Sequence, residues 1–110
     1  MKIENTKAQM RKGVLEYCIL LFIKDNELYP SEIISKLKES KLMVVEGTLY
    51  PLLTRLKNAG ILTYRWEEST SGPPRKYYSL TPIGETFTNE LSGTWKALEQ
   101  AVTFAQKQSK

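Results

Sequence analysis

Hydrophobic residues recur with helical spacing in the first part of the chain. Residues 7–24 are apolar on nearly all sides, with Met10 and Leu21 on one stripe, which is typical of a central helix covered by several neighbours. A second helix is predicted over residues 30–40, because it opens with a proline, which suits a first helical turn, and then shows apolar residues at core spacing.

A third helix is predicted over residues 46–59. It is followed by Gly60, a residue type that commonly takes the left-handed conformation after a helix. Its apolar stripe consists of Leu49, Leu52, Leu53 and Leu56. The polar side chains lie away from this stripe, so we expect one face of the helix to be buried and the other to be free for a partner.

The next segment alternates apolar and polar residues, which indicates a β-hairpin. Residues 62–68 form the first strand, residues 69–74 a turn by composition, and residues 75–80 the returning strand. We expect Trp66 and Tyr77 to pack on the hairpin and the core rather than to stack on bases.

A last helix begins at Thr81 and Pro82, a capping hydroxyl followed by proline, and can run to about Lys107, some ~40 Å. Its apolar residues follow heptad spacing: Leu91, Trp95, Leu98, Val102 and Ala105. This seam either packs on its own domain or meets a second subunit. The length of the helix favours a dimer interface, with the first helix contributing.

Three helices, a hairpin and a long helix predict a mainly α fold with a small β-hairpin. This is a winged helix-turn-helix plus a C-terminal dimerisation helix. We expect a DNA-binding domain over residues 1–80 and the dimerisation helix over residues 81–110.

The composition argues against catalysis. The 110 residues include no histidine and only one cysteine, Cys18, so neither a Cys/His metal cluster nor a histidine-activated nucleophile can form. We therefore expect a protein that is not an enzyme and has no cofactor or metal. The amino terminus lacks the pattern of a signal peptide and no apolar run is long enough to span a bilayer, so we expect a cytoplasmic protein.

Positive charge is concentrated in the middle of the chain. Residues 31–80 carry eight Lys or Arg against five Asp or Glu, within a net charge of +4 for the chain. This excess favours a polyanionic partner. The candidate DNA-binding residues are Thr48, Tyr50, Thr54 and Arg55 on the third helix and Arg75 and Lys76 on the hairpin. The alternatives are a solvated surface, a winged helix that binds protein, and an RNA-binding domain, although the sequence has no stacking-platform motif.

Two segments carry a family resemblance. The runs GTLYPLLTRL (residues 47–56) with GIL (residues 60–62), and GPPRKYYSLT (residues 72–81) with Gly84, resemble the PadR family of bacterial transcriptional regulators. The chain departs from the family pattern at residues 29–33, YPSEI, where many members have Gly-Tyr-Glu-Ile. The single C-terminal helix is similar to the short form of the family. The resemblance implies a homodimer that represses genes from a two-fold operator and is released by a small molecule.

A ligand site is predicted at the seam. Trp95 is a large aromatic at a seam position and Glu99 follows one turn later, while Gly13, Glu16 and Tyr17 of the first helix can wall the same space. This set predicts a flat slot for a planar aromatic and preferably cationic ligand. The alternative is that Trp95 is an interface anchor with no cavity.

Overall fold

The computed structural model describes residues 2–42 and 44–109, and that part of the chain forms four helices and one hairpin. In chain order the elements are α1 (Ile3–Asp25), α2 (Pro30–Glu39), α3 (Glu46–Asn58), β1 (Leu62–Ser69), β2 (Gly72–Leu80) and α4 (Pro82–Gln108). This order confirms the predicted fold class, a winged helix-turn-helix with a long C-terminal helix.

The core forms where α1, α2 and α3 meet the base of the hairpin. Its buried side chains are Ile19, Leu20, Ile23, Leu28, Ile33, Leu37, Leu49, Leu53, Leu56, Ile61, Leu62 and Tyr78. The predicted stripe of α3 is confirmed, with Leu52 packed at its margin. Since full burial of a leucine contributes about 1.5–3 kcal/mol, this stripe fixes which face of α3 remains in solvent.

The first half of α1 projects beyond the core. The helix begins at Ile3 rather than at residue 7, and the stripe predicted to be buried is partly wrong because Met10 is 73% exposed and Leu21 37% exposed. The buried residues of α1 all lie in its second half, where the other helices reach it. The amino-terminal half therefore has an apolar side with little cover from its own chain.

The end of α3 follows the prediction. Gly60 has a φ of 79°, the left-handed conformation that glycine adopts without steric cost. Its N–H donates to the carbonyl of Lys57 at 3.0 Å, and the N–H of Ile61 donates to the carbonyl of Leu56 at 3.0 Å. These two bonds satisfy the last carbonyls of the helix and turn the chain directly into β1.

The hairpin is longer and its turn shorter than the sequence predicted. Only Thr70 and Ser71 form the turn, whereas a turn over residues 69–74 was expected, and Pro73 and Pro74 lie within β2. The ladder is irregular there, because its register shifts between Glu67 and Ser69, and the two prolines lie between the pairs Ser69–Gly72 and Glu67–Arg75. Proline is tolerated at such a bulge because the regular ladder hydrogen bonds are interrupted.

The start of α4 is bonded to the end of α3. The Thr81 hydroxyl donates to the carbonyl of Gly60 at 2.6 Å and accepts from the N–H of Gly84 at 2.9 Å, which caps the helix. The Thr81 N–H donates to the carbonyl of Ile61 at 3.1 Å. A Cβ at Gly84 would overlap that same Ile61 carbonyl, so only glycine allows this approach. Inside the helix, Thr88 is buried and donates to the carbonyl of Gly84.

Only the first half of α4 packs on its own chain. Phe87 and Leu91 pack against the core, whereas every residue from 93 to 109 is exposed. At 1.5 Å per residue the helix is ~40 Å long, so its distal half extends away from the body of the molecule, whose longest dimension is 59 Å.

We predict that Gly84→Ala destabilises the protein by about 2 kcal/mol, because the added methyl group forces the α4 backbone away from β1. The matched control is Gly93→Ala in the same helix, where nothing lies within 4 Å of the added Cβ. This control should raise stability by about 0.5–1 kcal/mol through helix propensity. Urea unfolding at one protomer concentration measures both. Equal midpoints for Gly84→Ala and the unmodified chain would contradict the close approach.

Candidate nucleic-acid interface and interhelical cleft

The polar face of α3 is open to solvent. Because the leucines of α3 hold its other side in the core, Thr48, Tyr50 and Thr54 are exposed, and Tyr50 keeps 47% of its surface accessible. Tyr50 and Thr54 are one helical turn apart and lie beside the hairpin, whereas Arg55 lies beside α1. Of the predicted DNA-binding residues of α3, Tyr50 and Thr54 thus face the hairpin, whereas Arg55 faces α1.

A groove of about 340 Å³ separates α3 from the hairpin, and we call it the α3–hairpin groove. It combines hydroxyl groups, rings and two cations from the start of α2, from α3 and from both strands of the hairpin. Its lining residues are Tyr29, Pro30, Ser31, Tyr50, Thr54, Trp66, Pro74, Arg75, Lys76 and Tyr78. The structure therefore brings together four of the six predicted DNA-binding residues, Tyr50, Thr54, Arg75 and Lys76.

The two cations of the groove are held by aromatic rings. The Arg75 guanidinium lies 4.4 Å from the ring centre of Tyr29. The Lys76 ammonium lies 4.5 Å from the ring centre of Tyr64 and 5.2 Å from that of Trp66. Within the described part of the chain neither cation forms a salt bridge. A ring restrains a cation without neutralising it, so both charges remain available to an anion.

Arg65, on the other side of the hairpin, has a different environment. Its guanidinium donates three hydrogen bonds of 2.9–3.1 Å to the carboxylate of Glu27 and lies 4.9 Å from the ring centre of Tyr77. The hydrogen bonds from Arg65 lower the pKa of Glu27, so the contribution of this pair is present at neutral pH and is lost as the pH falls through that lowered pKa. Arg65 therefore ties β1 to the segment before α2 rather than facing a ligand.

Arg55 connects α3 to α1. Its guanidinium nitrogen Nη2 lies 3.0 Å from Oε2 of Glu16, and the two side chains are 63% and 24% exposed. The guanidinium still has donors free on its solvent side, because only one of its nitrogens is engaged in this pair. Arg55 therefore stands between the polar face of α3 and the surface of α1.

A second depression, of about 400 Å³, lies between α1 and α4, and we call it the α1–α4 cleft. Its walls are mainly apolar, and Glu16 is the one lining residue that is charged at neutral pH. The lining residues are Gln9, Met10, Gly13, Val14, Glu16, Tyr17, Phe87, Leu91, Thr94, Trp95 and Leu98. Four of the five predicted ligand-binding residues, Gly13, Glu16, Tyr17 and Trp95, therefore line one cleft.

Glu99, the fifth predicted residue, lies outside this cleft. It lines a separate shallow groove on α4 with Lys96, Gln100 and Thr103. Four residues along a helix correspond to more than one full turn, so Glu99 is rotated past Trp95 and Leu98 takes the position facing α1. Within one chain the carboxylate beside Trp95 is thus Glu16 and not Glu99.

The heptad seam of α4 forms an exposed apolar strip. Leu91 is half-buried, Trp95, Leu98 and Val102 are 38%, 54% and 56% exposed, and Ala105 is also exposed. The α1–α4 cleft opens beside this strip, since Leu91, Trp95 and Leu98 belong to both. A surface that covered the strip would also narrow the cleft.

Several residues that line the α3–hairpin groove and the α1–α4 cleft were not predicted from the sequence. In the groove they are Tyr29, Ser31 and Trp66, and in the cleft Met10, Val14, Phe87 and Thr94. The proline that opens α2 is a local signal for the first two, because it places their backbone at a helix start. Trp66 was expected to pack on the hairpin and the core; it contacts Tyr64 and Lys76 of the hairpin, but it is 60% exposed and does not reach the core. Tyr77 is half-buried and packs edge-to-face on Tyr29, as expected of a structural residue.

The described residues include no group of His, Cys, Asp and Glu that could hold a metal ion. Burial raises the pKa of the Cys18 thiol, which keeps it protonated and a poor nucleophile. Among residues 2–42 and 44–109 no helix is long and apolar enough to cross a membrane.

The sequence and the fold match known transcriptional regulators. The transcriptional regulator PadR-like family matches residues 19–90. A PadR-like transcription factor from Bacteroides fragilis is 60% identical with a TM-score of 0.78, and the match covers 92% of this chain and 98% of that one. A PadR-like transcriptional regulator from Bacillus cereus is 36% identical with a TM-score of 0.79, over 89% of this chain and 96% of that one.

A more distant match was solved with DNA. PadR of Bacillus subtilis in complex with operator DNA is 28% identical with a TM-score of 0.65, over 71% of this chain and 46% of that one. The matching family is one of transcriptional regulators, which confirms the prediction that the chain is not an enzyme. The matched segment includes α2, α3, the hairpin and the start of α4. This chain therefore belongs to the PadR-like family of transcriptional regulators.

Proposed function

We propose that the protein binds duplex DNA sequence-specifically as a two-fold homodimer and represses the genes beside its operator. The observation that carries this proposal is the α3–hairpin groove, where Tyr50 and Thr54 face two cations that form no salt bridge among residues 2–42 and 44–109. Hydroxyl donors beside unpaired cations fit a DNA strand, whose phosphates need both charge and hydrogen bonds. PadR of Bacillus subtilis, which shares this fold, was solved in complex with operator DNA, and this supports DNA as the partner.

Within this proposal the residues have different tasks. Thr48 and Tyr50 lie in the first half of α3, the part of a recognition helix that meets base edges in the major groove. Arg75 and Lys76 bind phosphates and so fix the position of the hairpin without reading sequence. Thr54 donates to a phosphate of the same strand. Arg55 reaches a phosphate with the donors that its pair with Glu16 leaves free.

The dimer forms through α4. The distal half of this helix presents Leu98, Val102 and Ala105 to solvent, and a second copy of the same strip would cover them in the manner of a coiled coil. We propose that residues 1–80 form the DNA-binding unit and residues 81–110 the dimerisation helix. A two-fold axis through α4 presents the two α3 helices to successive major grooves, roughly 34 Å apart.

A small molecule in the α1–α4 cleft would release the DNA. Trp95 and Tyr17 offer rings to a planar aromatic ligand, and Glu16 offers a carboxylate to its positive charge. The same carboxylate binds Arg55 of α3. A cationic ligand therefore competes with Arg55 for Glu16, which breaks this ion pair between α3 and α1 and links the cleft to the recognition helix.

We predict that Arg75→Ala with Lys76→Ala weakens binding about equally to operator and random duplexes, and reduces the magnitude of the slope of log K against log salt by about four, because the dimer loses four cations. The matched control, Lys96→Ala with Lys107→Ala, removes the same charge from α4 and should bind like the unmodified dimer. Thr48→Ala or Tyr50→Ala should instead reduce the preference for the operator. Fluorescence anisotropy with duplexes selected from a random pool measures all of these. If the affinity for DNA does not depend on salt concentration, or if no duplex is bound, DNA recognition is contradicted and a protein-binding module is favoured.

We predict that Leu98→Asp with Val102→Asp converts the dimer to monomers, because burying unpaired carboxylates in the seam is costly. Both residues are exposed in the single chain, so the monomer should stay folded. Phe104→Asp is the control, since Phe104 is 66% exposed but lies off the heptad seam. Sedimentation equilibrium separates the outcomes. If the double variant stays dimeric, or if Phe104→Asp dissociates the dimer to the same extent, the interface lies elsewhere.

We predict that the cleft prefers a cation to its neutral isostere. N-methylquinolinium should change the emission of Trp95, measured in a Trp66→Phe background, at lower concentration than 1-methylnaphthalene, and Glu16→Gln should abolish this difference. Arg55→Ala should tighten cation binding severalfold, because it removes the competitor for the Glu16 carboxylate. If neither compound changes the emission while the dimer persists, Trp95 is an interface anchor only. If Arg55→Ala weakens or does not change cation binding, the competition does not occur.

A further inference from the structure

Trp66 is a large ring that the core does not cover. Strand alternation places Leu62, Tyr64 and Trp66 on one face of β1, and their burial decreases along the strand from buried to half-buried to 60% exposed. The first two residues pack on the core, but the hairpin has passed beyond the core where Trp66 lies. Its exposure follows from the length of the hairpin and not from a polar environment.

Two neighbours nevertheless restrain the ring. Tyr64 meets it edge-to-face, with ring centres 6.2 Å apart, and Lys76, directly opposite in the antiparallel ladder, places its ammonium 5.2 Å from the ring centre. Pro73, Pro74 and Glu68 lie beside the ring along the hairpin. A flat apolar surface is thus held next to Lys76, a cation that forms no salt bridge with Glu68 or with any other carboxylate of residues 2–42 and 44–109.

The ring of Trp66 also faces the α3–hairpin groove, whose chemistry suits a DNA strand. Trp66 lines the α3–hairpin groove together with Tyr50 and Thr54 on the opposite wall and Arg75 and Lys76 on its own. A strand of DNA alternates charged phosphates with apolar sugar faces, so one occupant can satisfy the cations and cover the ring at once. A protein partner would need an acidic and an apolar group at the same spacing.

We propose that Trp66 is a DNA-contact residue, packing its ring on a deoxyribose of the strand whose phosphates bind Arg75 and Lys76. This inference rests on the proposed function, DNA binding through the α3–hairpin groove. The contact is uncharged and meets a sugar rather than a base edge. It therefore contributes affinity that depends neither on salt nor on sequence, in contrast with its neighbour Lys76.

The direct test uses Trp66 as its own probe. In a Trp95→Phe background, with the dimer verified by sedimentation, Trp66 is the sole tryptophan, and its emission should change and saturate as a selected operator duplex is added. The proposal is overturned if the emission of Trp66 does not change although anisotropy shows that the duplex is fully bound. The ring would then contact a partner other than DNA.

Substitutions test the energetic role. Trp66→Ala should weaken binding about tenfold to operator and random duplexes alike, with the salt slope unchanged, and Trp66→Phe should restore most of the affinity. Lys76→Ala, by contrast, should reduce the magnitude of the salt slope by about two, because the dimer loses one cation from each subunit. Phe104→Ala removes another exposed ring, outside the groove, and should have no effect. Affinity of Trp66→Ala equal to that of the unmodified dimer overturns the proposal. If the unmodified dimer binds no duplex, the proposed function itself fails.

Discussion

The junction between the end of α3 and the start of α4 fixes the relative positions of both candidate sites. Thr81 bonds to the carbonyls of Gly60 and Ile61 and caps α4, while Gly84 lies against the Ile61 carbonyl. The same few residues therefore end the helix that carries the polar face, begin the hairpin and set the direction of α4. Because backbone groups make this contact, it tolerates little adjustment, and a change in the angle of α4 has to be transmitted to α3 and β1.

The environment of each cation, rather than its place in the sequence, determines what it can do. Arg65 is fully engaged by Glu27 and has a structural role, whereas Arg75 and Lys76 rest on rings and keep their charge for a ligand. Arg55 is intermediate, with one carboxylate partner and free donors. Aromatic neighbours suit a phosphate-binding surface because they limit the motion of a long cationic side chain, and so reduce the entropy lost on binding, without supplying a competing anion.

The sequence predicts local properties of these elements, but not the surroundings that tertiary contacts give each side chain. The leucine stripe of α3 and the left-handed Gly60 were predicted because spacing and backbone conformation are local properties. Trp66 packs on the hairpin as expected but not on the core, because alternation shows which face of a strand a residue occupies and not where the core beneath that face ends. The contacts of Glu99 and Arg55 could not be predicted for a related reason, since they depend on how α1 crosses α3 and α4. The turn was predicted too long because the two prolines at the register shift resemble a loop in composition.

The proposed dimer and ligand sites share residues, and this constrains how regulation can work. Trp95 and Leu98 belong both to the seam of α4 and to the α1–α4 cleft. A ligand in the cleft would therefore alter the surface that we propose as the dimer interface. Glu16 on the opposite wall connects the cleft to Arg55 of α3. An exposed ion pair of this kind contributes only about 0–1 kcal/mol, too little alone for a large change in DNA affinity. We therefore infer that the larger part of any ligand response passes through the angle between the two α4 helices, which resets the separation of the two α3 helices on DNA. By thermodynamic linkage, bound operator would weaken the ligand by the same factor as the ligand weakens operator binding.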